Sequence, residues 1–442
     1  MPSNDPLLAL LNDGPLPART LCEQLGISQP TLSRRVAALG DGLLRFGKAR
    51  QSSYARRRQV AGQFGFTLHR VDANGRLVQW GTLYPVWRDG CVVIEADGNS
   101  SHHDGLPWWL QDMRPQGFLG RAFAHSHAAA LNLPADLNAW GDSAVLLALA
   151  QAGEDSVGNL LLGDTAASRL LARPEPHAIP TDARITTFAE LSRLALAGEA
   201  VGSSAGGEQP KFTATISTEH GPQAVLVKFS APDINAASQR WASLLVAEHL
   251  ALQTLAAADL PASQSELLQS ERQTFLQLQR FDRIGLYGRR GVVSLAALDH
   301  GFIGRAGDNW PQLTGSLAAQ RIITPESDAI AQRLHAFGVL IGNSDMHHGN
   351  LSFLHDGNLP LTIAPAYDML PMHYAPRASG HLPEALPELA LATPPNLDVW
   401  AEVLPHAQNY WRQVGADTRI DDGFRTIAGQ WQARLAQLAT RL

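Results

Sequence analysis

The sequence predicts an α+β protein. A small winged helix-turn-helix domain over residues 1–60 precedes a two-lobed body, with a mixed α/β N-terminal lobe and a mostly helical C-terminal lobe. Three observations carry that prediction. Residues 19–58 hold nine Arg or Lys against Glu23 and Asp41, a local charge of +7 on a chain whose total is −6. From about 61 the chain is mixed, with strand-like alternation in FGFTLHRVDANGRLVQWGTLYPVW around the turn DANG, the period of half-buried strands. Beyond about 186 the chemistry concentrates, above all in one stretch dense in small polar and ionisable residues, GNSDMHHGN (342–350), which follows the apolar run FGVLI.

A chain of 442 residues is too long for one core, so two or three domains are expected. With 45% apolar and 17% charged residues, the balance is that of a soluble globular protein. Two cysteines, Cys22 and Cys91, are too few for a disulfide framework or a Cys-rich zinc site. The N-terminus MPSNDPLLAL has no basic region leading into an apolar run, and no stretch approaches the ~18 apolar residues of a membrane span. A cytoplasmic protein with no membrane partner is expected. Of 35 basic residues only Lys48, Lys211 and Lys228 are lysine, so a compact ammonium is specifically wanted at those positions.

In the head, PARTLCEQLGISQPTLSRRVAALG reads as two short helices around a turn at Gly26. Leu21, Leu25, Leu32, Val36 and Leu39 form an apolar face; Ser28 suits the N-cap and Pro30 the first turn of the second helix. The following GLLRFGKARQSSYARRR reads as a wing of two strands with a basic turn. With −13 left for the rest of the chain, the head is the electrostatic footprint of a DNA-binding module. Gln29, Thr31, Ser33, Arg34 and Arg35 on the second helix, with Lys48 and Arg50 in the wing, are the candidate DNA contacts.

Residues 61–185 form the β-rich part of the N-terminal lobe. FGFTLHRV and RLVQWGTLYPVW are strand-like, WWLQDMRPQGFLGRAFA opens a helical stretch, and DSAVLLALAQAG is an amphipathic helix. His102, His103 and Asp104 sit in a Gly/Ser/Asn-rich stretch that reads as a surface loop. HYAPRASGHLPEALPELALATPPN (373–396) reads as a long loop before the terminal helices.

Four pieces carry chemistry. VGSSAGGEQPKFTATI (201–216) is a Gly-rich turn followed by Lys211 and a strand; it lacks the GK[ST] of a P-loop, and taken alone it is an ordinary flexible loop. QAVLVKFS (223–230) puts Lys228 in an apolar strand, where a charge needs a partner or a route to water. FLQLQRFDR (275–283) is a strand leaving into a charged segment. GNSDMHHGNLSFLHDGNLPLTIAPAYDMLPM then spaces Asp345 and Asn350 five apart and leads through a hairpin at HDGN to Asp368. A metal knot is disfavoured, because adjacent His347 and His348 cannot easily share one tetrahedral ion. Gly-rich turn, strand Lys, hinge, D-x-x-x-x-N, hairpin and Asp is the order of parts in a protein kinase. In that chemistry Asp345 orients and deprotonates the attacking hydroxyl, Asn350 and Asp368 offer oxygen ligands to Mg²⁺, and Gly342 and Gly349 let the chain turn on both sides of Asp345.

SSAGGEQPK, VLVKFS, QRFDR, IGNSDMHHGN and APAYDM together resemble the HipA family of bacterial serine/threonine kinase toxins, and the fused head is similar to its YjjJ branch. The resemblance implies a two-lobed protein-kinase-like fold using ATP and Mg²⁺, with a lobe boundary near 280 (N-terminal lobe 61–280, Gly-rich loop and strand Lys in 186–280, C-terminal lobe 281–442). It implies Asp345 as the catalytic residue, Asn350 and Asp368 as metal ligands, and Lys228 on the nucleotide phosphates. The backbone of Ala205, Gly206, Gly207, Glu208, Gln209 and Lys211 corresponds to the phosphate loop, and Gln279, Arg280 and Phe281 to the hinge. His347 and Tyr367 fall near the nucleotide. Ser204, with Ser203 as the adjacent alternative, falls where the family phosphorylates its own loop. Family hinges commonly carry Glu at the place of Gln279. The early Glu that often pairs with the strand Lys is absent here: Arg240 stands near that place and Glu248 two turns on, so the partner of Lys228 stays open. Implied partners are a Ser/Thr protein substrate, DNA and an antitoxin protein. A DNA-binding regulator whose body senses nucleotide, and a small-molecule phosphotransferase, are the alternatives.

Overall fold

The computed structural model describes residues 5–48, 51–198 and 209–441. The chain divides into two compact units, Met1–Pro115 with Ser126–Pro174, and Gln116–His125 with Glu175–Leu442. Residues 61–115 and 126–174 therefore group with the head and not with the strand that carries Lys228.

In the first unit, helices Ala18–Leu25 and Gln29–Leu39 meet at Gly26, whose φ of +62° closes the first of them. Ser28 takes the extended N-cap conformation, but its hydroxyl bonds Thr31 Oγ at 3.0 Å and not the helix N–H groups. Strand Ser53–Arg56 lies between Leu16–Pro17 and Leu43–Phe46 in an antiparallel sheet. The Leu21/Leu32 face accounts for only part of the core. A further short helix, Pro6–Leu10, is capped by Asp5 Oδ1 on Leu7 N at 2.8 Å and adds Leu7, Leu8 and, just beyond it, Leu11 to the same cluster.

Beside it lies an antiparallel sheet in the order Ser100–His103, Gly90–Glu95, Leu77–Val86, Phe66–Val71, Leu160–Leu162. His102 and His103 thus belong to an edge strand, not to a loop. Burial pushes the His103 imidazole down to about 4, and its ring packs edge-on to Trp109. Helix Asp142–Ala152 buries Val145, Leu146, Ala148 and Leu149, more of its circumference than an amphipathic surface helix would. Head and sheet share an apolar cluster of Leu44, Ala55, Val86 and Val92.

In the second unit, an antiparallel sheet runs in the order Ser265–Gln269, Thr274–Gln279, Gly221–Phe229, Lys211–Thr218. Phe188, Phe212, Phe229 and Phe275 pack in one cluster beneath it. Helix Ala236–Ala257, started by an Asn235/Ser238 capping box, contributes Leu244, Leu245, Val246 and Ala247 to the interior. Helices Trp310–Ala319, Pro325–Leu340, Leu397–Ala416 and Asp422–Leu438 follow, with a small sheet in which Ser352–Leu354 pairs Val292–Ser294 and Thr362–Ile363. The segment before the last two helices is irregular, and it is tied down: Trp400 Nε1 donates to Ala392 O and Pro395 O, each at 3.2 Å. Among the described residues no helix is long and apolar enough to cross a membrane.

Candidate active site

The hairpin of Lys211–Thr218 and Gly221–Phe229 sets Lys228 directly opposite Lys211. Lys228 is 1% exposed, so its ammonium needs matched charge. The Nζ donates to both carboxylate oxygens of Glu248, at 2.6 and 2.7 Å, and to Asp368 Oδ1. Glu248 is the one acid of helix Ala236–Ala257 and is fully buried; it is the partner the sequence left open. Arg240 points elsewhere, bonding Tyr374 O and Pro383 O and stacking on Phe424 at 5.1 Å.

One ammonium between two carboxylates sets the local electrostatics. Burial works against the Lys228 charge, but Asp368 and Glu248 outweigh it and hold the ammonium above the ordinary lysine range. Burial pushes Glu248 up, with Lys228 opposing. Burial also acts to raise Asp368, yet Lys228 and Lys211 overcome it and hold that carboxyl well below the usual range. Asp368 sits at φ +51°, a left-handed conformation uncommon outside glycine and typical of constrained functional positions.

The catalytic-loop candidate leaves the end of helix Pro325–Leu340 through Gly342, at φ +75°. A Cβ there would come within 3.1 Å of the Trp431 ring, so glycine is required on two counts. Gly349 differs from expectation: its backbone has no positive φ, and the constraint is that a Cβ would lie 2.9 Å from His347 Cε1. Asn343 is buried; its Oδ1 accepts from Asp345 N at 3.0 Å and its Nδ2 donates to Asp368 O at 3.3 Å. Asn350 Nδ2 donates to Asp345 O at 2.8 Å, which fixes the amide so that Oδ1 is the atom that could face a cation. Partial burial pushes the Asp345 carboxyl up; His347, Lys211 and Lys228 oppose that shift and Asp368 adds to it.

The histidines are occupied by the loop itself. His347 Nδ1 accepts from Gly349 N at 3.0 Å, Trp310 Nε1 donates to His347 O at 3.2 Å, and His348 Nε2 bonds Asp308 O at 2.7 Å. Tyr367 OH donates to Gly349 O at 2.7 Å and lies 2.6 Å from Ser352 Oγ, while its ring tilts against Phe281 with centroids 5.8 Å apart. At the hinge candidate, the N–H groups of Gln279 and Arg280 are engaged by Gln264 O and Ala224 O, and the Arg280 guanidinium grips buried Asp282 at 2.9 and 3.0 Å. Gln209 lies just before the strand that begins at Lys211. Ser203, Ser204, Ala205, Gly206, Gly207 and Glu208 lie outside the described residues, as does Arg50.

The structure therefore brings together Lys211, Lys228, Asp345, Asn350 and Asp368, with Tyr367 and Phe281 side by side nearby. Sequence reasoning passed over Asn343 entirely. In the head, Gln29, Ser33, Arg34 and Arg35 are exposed, whereas Thr31 is half-buried against Ser28. Lys48 reaches Asn99 Oδ1 at 3.1 Å. Arg56 and Arg57 stack on Trp87 and Tyr84, and Arg58 bonds Ser143, so much of the +7 is engaged within its own unit.

Residues 203–432 match the model of the HipA-like C-terminal domain, and residues 63–171 that of the middle domain of YjjJ-like toxins. The toxin YjjJ of Escherichia coli (strain K12) is 42% identical over 438 residues, covering 99% of this chain and 98% of that one. The chain belongs to the HipA family. The HipA chain of the Shewanella oneidensis MR-1 toxin–antitoxin complex of HipA, HipB and operator DNA is similar in fold, with a TM-score of 0.56 at 15% identity, over 85% of this chain and 97% of that one. Every residue of the Lys228–Asp345–Asp368 site lies inside the HipA-like C-terminal match, and the head precedes both matched domains.

Proposed function

We propose that this HipA-family chain is an ATP- and Mg²⁺-dependent serine/threonine protein kinase that phosphorylates its own Gly-rich loop at Ser204 or Ser203. The observation that carries this reading is the buried ammonium of Lys228, clasped by Glu248 and Asp368 opposite Lys211, with the Asp345 loop crossing beside it. Two lysines on adjacent strands supply the positive charge that triphosphate oxygens need, and Lys228 is held rigid by Glu248.

The donor set fits Mg²⁺. Asp368 is kept ionised, Asn350 presents only its oxygen, and a magnesium ion characteristically takes one or two protein oxygens together with waters and phosphates. When bound, the ion supplies neutralisation of charge on the transferring phosphoryl group. Asp345 accepts the proton of the attacking hydroxyl, and its raised pKa moves it toward the range in which a base is effective. Tyr367 and Ser352 brace the loop at Gly349 so that Asp345 and Asn350 keep their spacing. Pro210, which follows the Gly-rich segment in sequence, accepts the Phe229 N–H, one residue on from Lys228. The test is transfer from labelled ATP with Mg²⁺ to the protein itself and to lysate proteins. Wild type transferring no more than Asp345→Ala would falsify the reading.

A second activity is favoured by the exposed row Gln29, Ser33, Arg34 and Arg35 on helix Gln29–Leu39. We read the head as a winged helix-turn-helix that binds DNA through this helix, with Thr31 supporting its start. In the Shewanella structure the HipA fold occurs with HipB and operator DNA, which supports DNA and an antitoxin protein as partners here too. Association with duplex DNA that weakens steeply with salt is the expected result.

A further inference from the structure

Two acidic residues with different tasks, Asp345 and Asp368, stand on different loops separated by the hairpin of Ser352–Leu354 and Thr362–Ile363. Their relative placement has to be fixed by something. Asn343 is 6% exposed and touches both loops. Its N–H donates to Gly338 O at 2.9 Å, which anchors it to the end of helix Pro325–Leu340. From there one face of the side-chain amide, Oδ1, receives Asp345 N–H, and the other, Nδ2, reaches the carbonyl of Asp368. A side-chain amide accepts at one end and donates at the other. Asp368 holds a left-handed conformation, so its peptide needs an external restraint to stay there.

We propose that Asn343 is the positioning residue that locks the base loop to the metal-ligand loop. This rests on the phosphoryl-transfer reading above. It touches neither nucleotide nor hydroxyl; it acts through the backbone of Asp345 and Asp368. The Oδ1 arm sets the direction of the Asp345 carboxylate, and the Nδ2 arm sets the placement of the Asp368 carboxylate beside Lys228.

Substitutions separate the two arms. Asn343→Ala removes both. Asn343→Asp keeps the acceptor for Asp345 N–H and removes the donor to Asp368, in the same shape. Full-length variants are compared for kcat, KM for ATP, the Mg²⁺ concentration giving half-maximal transfer, Mn²⁺–ATP binding by calorimetry, and melting midpoint. For Asn343→Ala the expected result is a fall in kcat of at least about tenfold with little change in KM, and a Mg²⁺ requirement raised several-fold. Asn343→Asp is expected to recover most of kcat at saturating Mg²⁺ while keeping the raised requirement. Wild-type kcat and Mg²⁺ dependence in both variants would overturn the assignment, as would activity lost only in proportion to the unfolded fraction. If wild type binds Mn²⁺–ATP but transfers nothing, the kinase reading fails on its own. In that case weaker Mn²⁺–ATP binding by Asn343→Asp still supports the assignment, and unchanged binding overturns it.

Discussion

Lys48 and Lys228 are two of the three lysines in the chain, and the structure treats them oppositely. Lys48 lies exposed just after strand Leu43–Phe46 and bonds a neutral amide, Asn99. Lys228 is sealed inside the second unit and clasped by two carboxylates. The head concentrates positive charge in sequence, yet Arg56, Arg57 and Arg58 turn it inward onto Trp87, Tyr84 and Ser143. The site concentrates opposite charges that lie far apart in sequence. Charge density along a chain is therefore a weaker guide to chemistry than a single charge that has lost its water.

The sharpest way to break this contrast is to remove each ammonium. Lys228→Met leaves Glu248 and Asp368 without their cation, and loss of one partner of a buried pair costs about 3–5 kcal/mol. Urea denaturation should show that loss for Lys228→Met and an unchanged midpoint for Lys48→Met; equal shifts would dissolve the distinction. Next in size is Gly342→Ala, which forces a side chain into φ +75° and toward Trp431, at about 1–3 kcal/mol. Gly349→Ala meets only the exposed His347 ring and should melt closer to wild type. In the head, Arg34→Glu combined with Arg35→Glu should reduce the slope of log affinity against log salt by about one per lost phosphate contact, while Lys48→Ala changes it little. An equal effect from Lys48→Ala would place the wing on the DNA.

The smallest effect concerns pH. On the proposed reading, Asp345 is a base that works only when ionised; burial raises its pKa, so the acid limb of the activity profile should lie above the ~3.9 of an ordinary aspartate. His347 opposes that shift electrostatically. Removing it in His347→Ala should move the limb further up. A limb that moves down would remove His347 from the neighbourhood of the base.

Much of the site was legible because its chemistry fixes residue type and order: a Lys in an apolar strand, D-x-x-x-x-N, a hairpin, then Asp. What escaped depends on approach in space. Glu248 stands 20 residues from Lys228, and only its isolation in the apolar run SLLVAEHLAL hints at a buried acid. Asn343 acts through its neighbour's N–H and a carbonyl 25 residues away, a link with no sequence period. In the fold, helix Pro6–Leu10 is five residues long, too short to display a 3.6 repeat. The edge strand Ser100–His103 was hidden by its polar composition; Gly90–Glu95 pairs with it along one side. Gly349 was assigned to a turn, whereas its backbone has no positive φ and its close neighbour is the exposed His347 ring.

The most direct measurement is the intact mass of the purified protein after incubation with ATP and Mg²⁺, followed by mapping of the modified peptide. The expected result is the gain of one phosphate on Ser204 or Ser203 in wild type and none in Asp345→Ala or Asp368→Asn. A wild type that binds ATP yet keeps its mass and phosphorylates no lysate protein would contradict a phosphoryl-transfer site built on Lys228, Asp345 and Asp368.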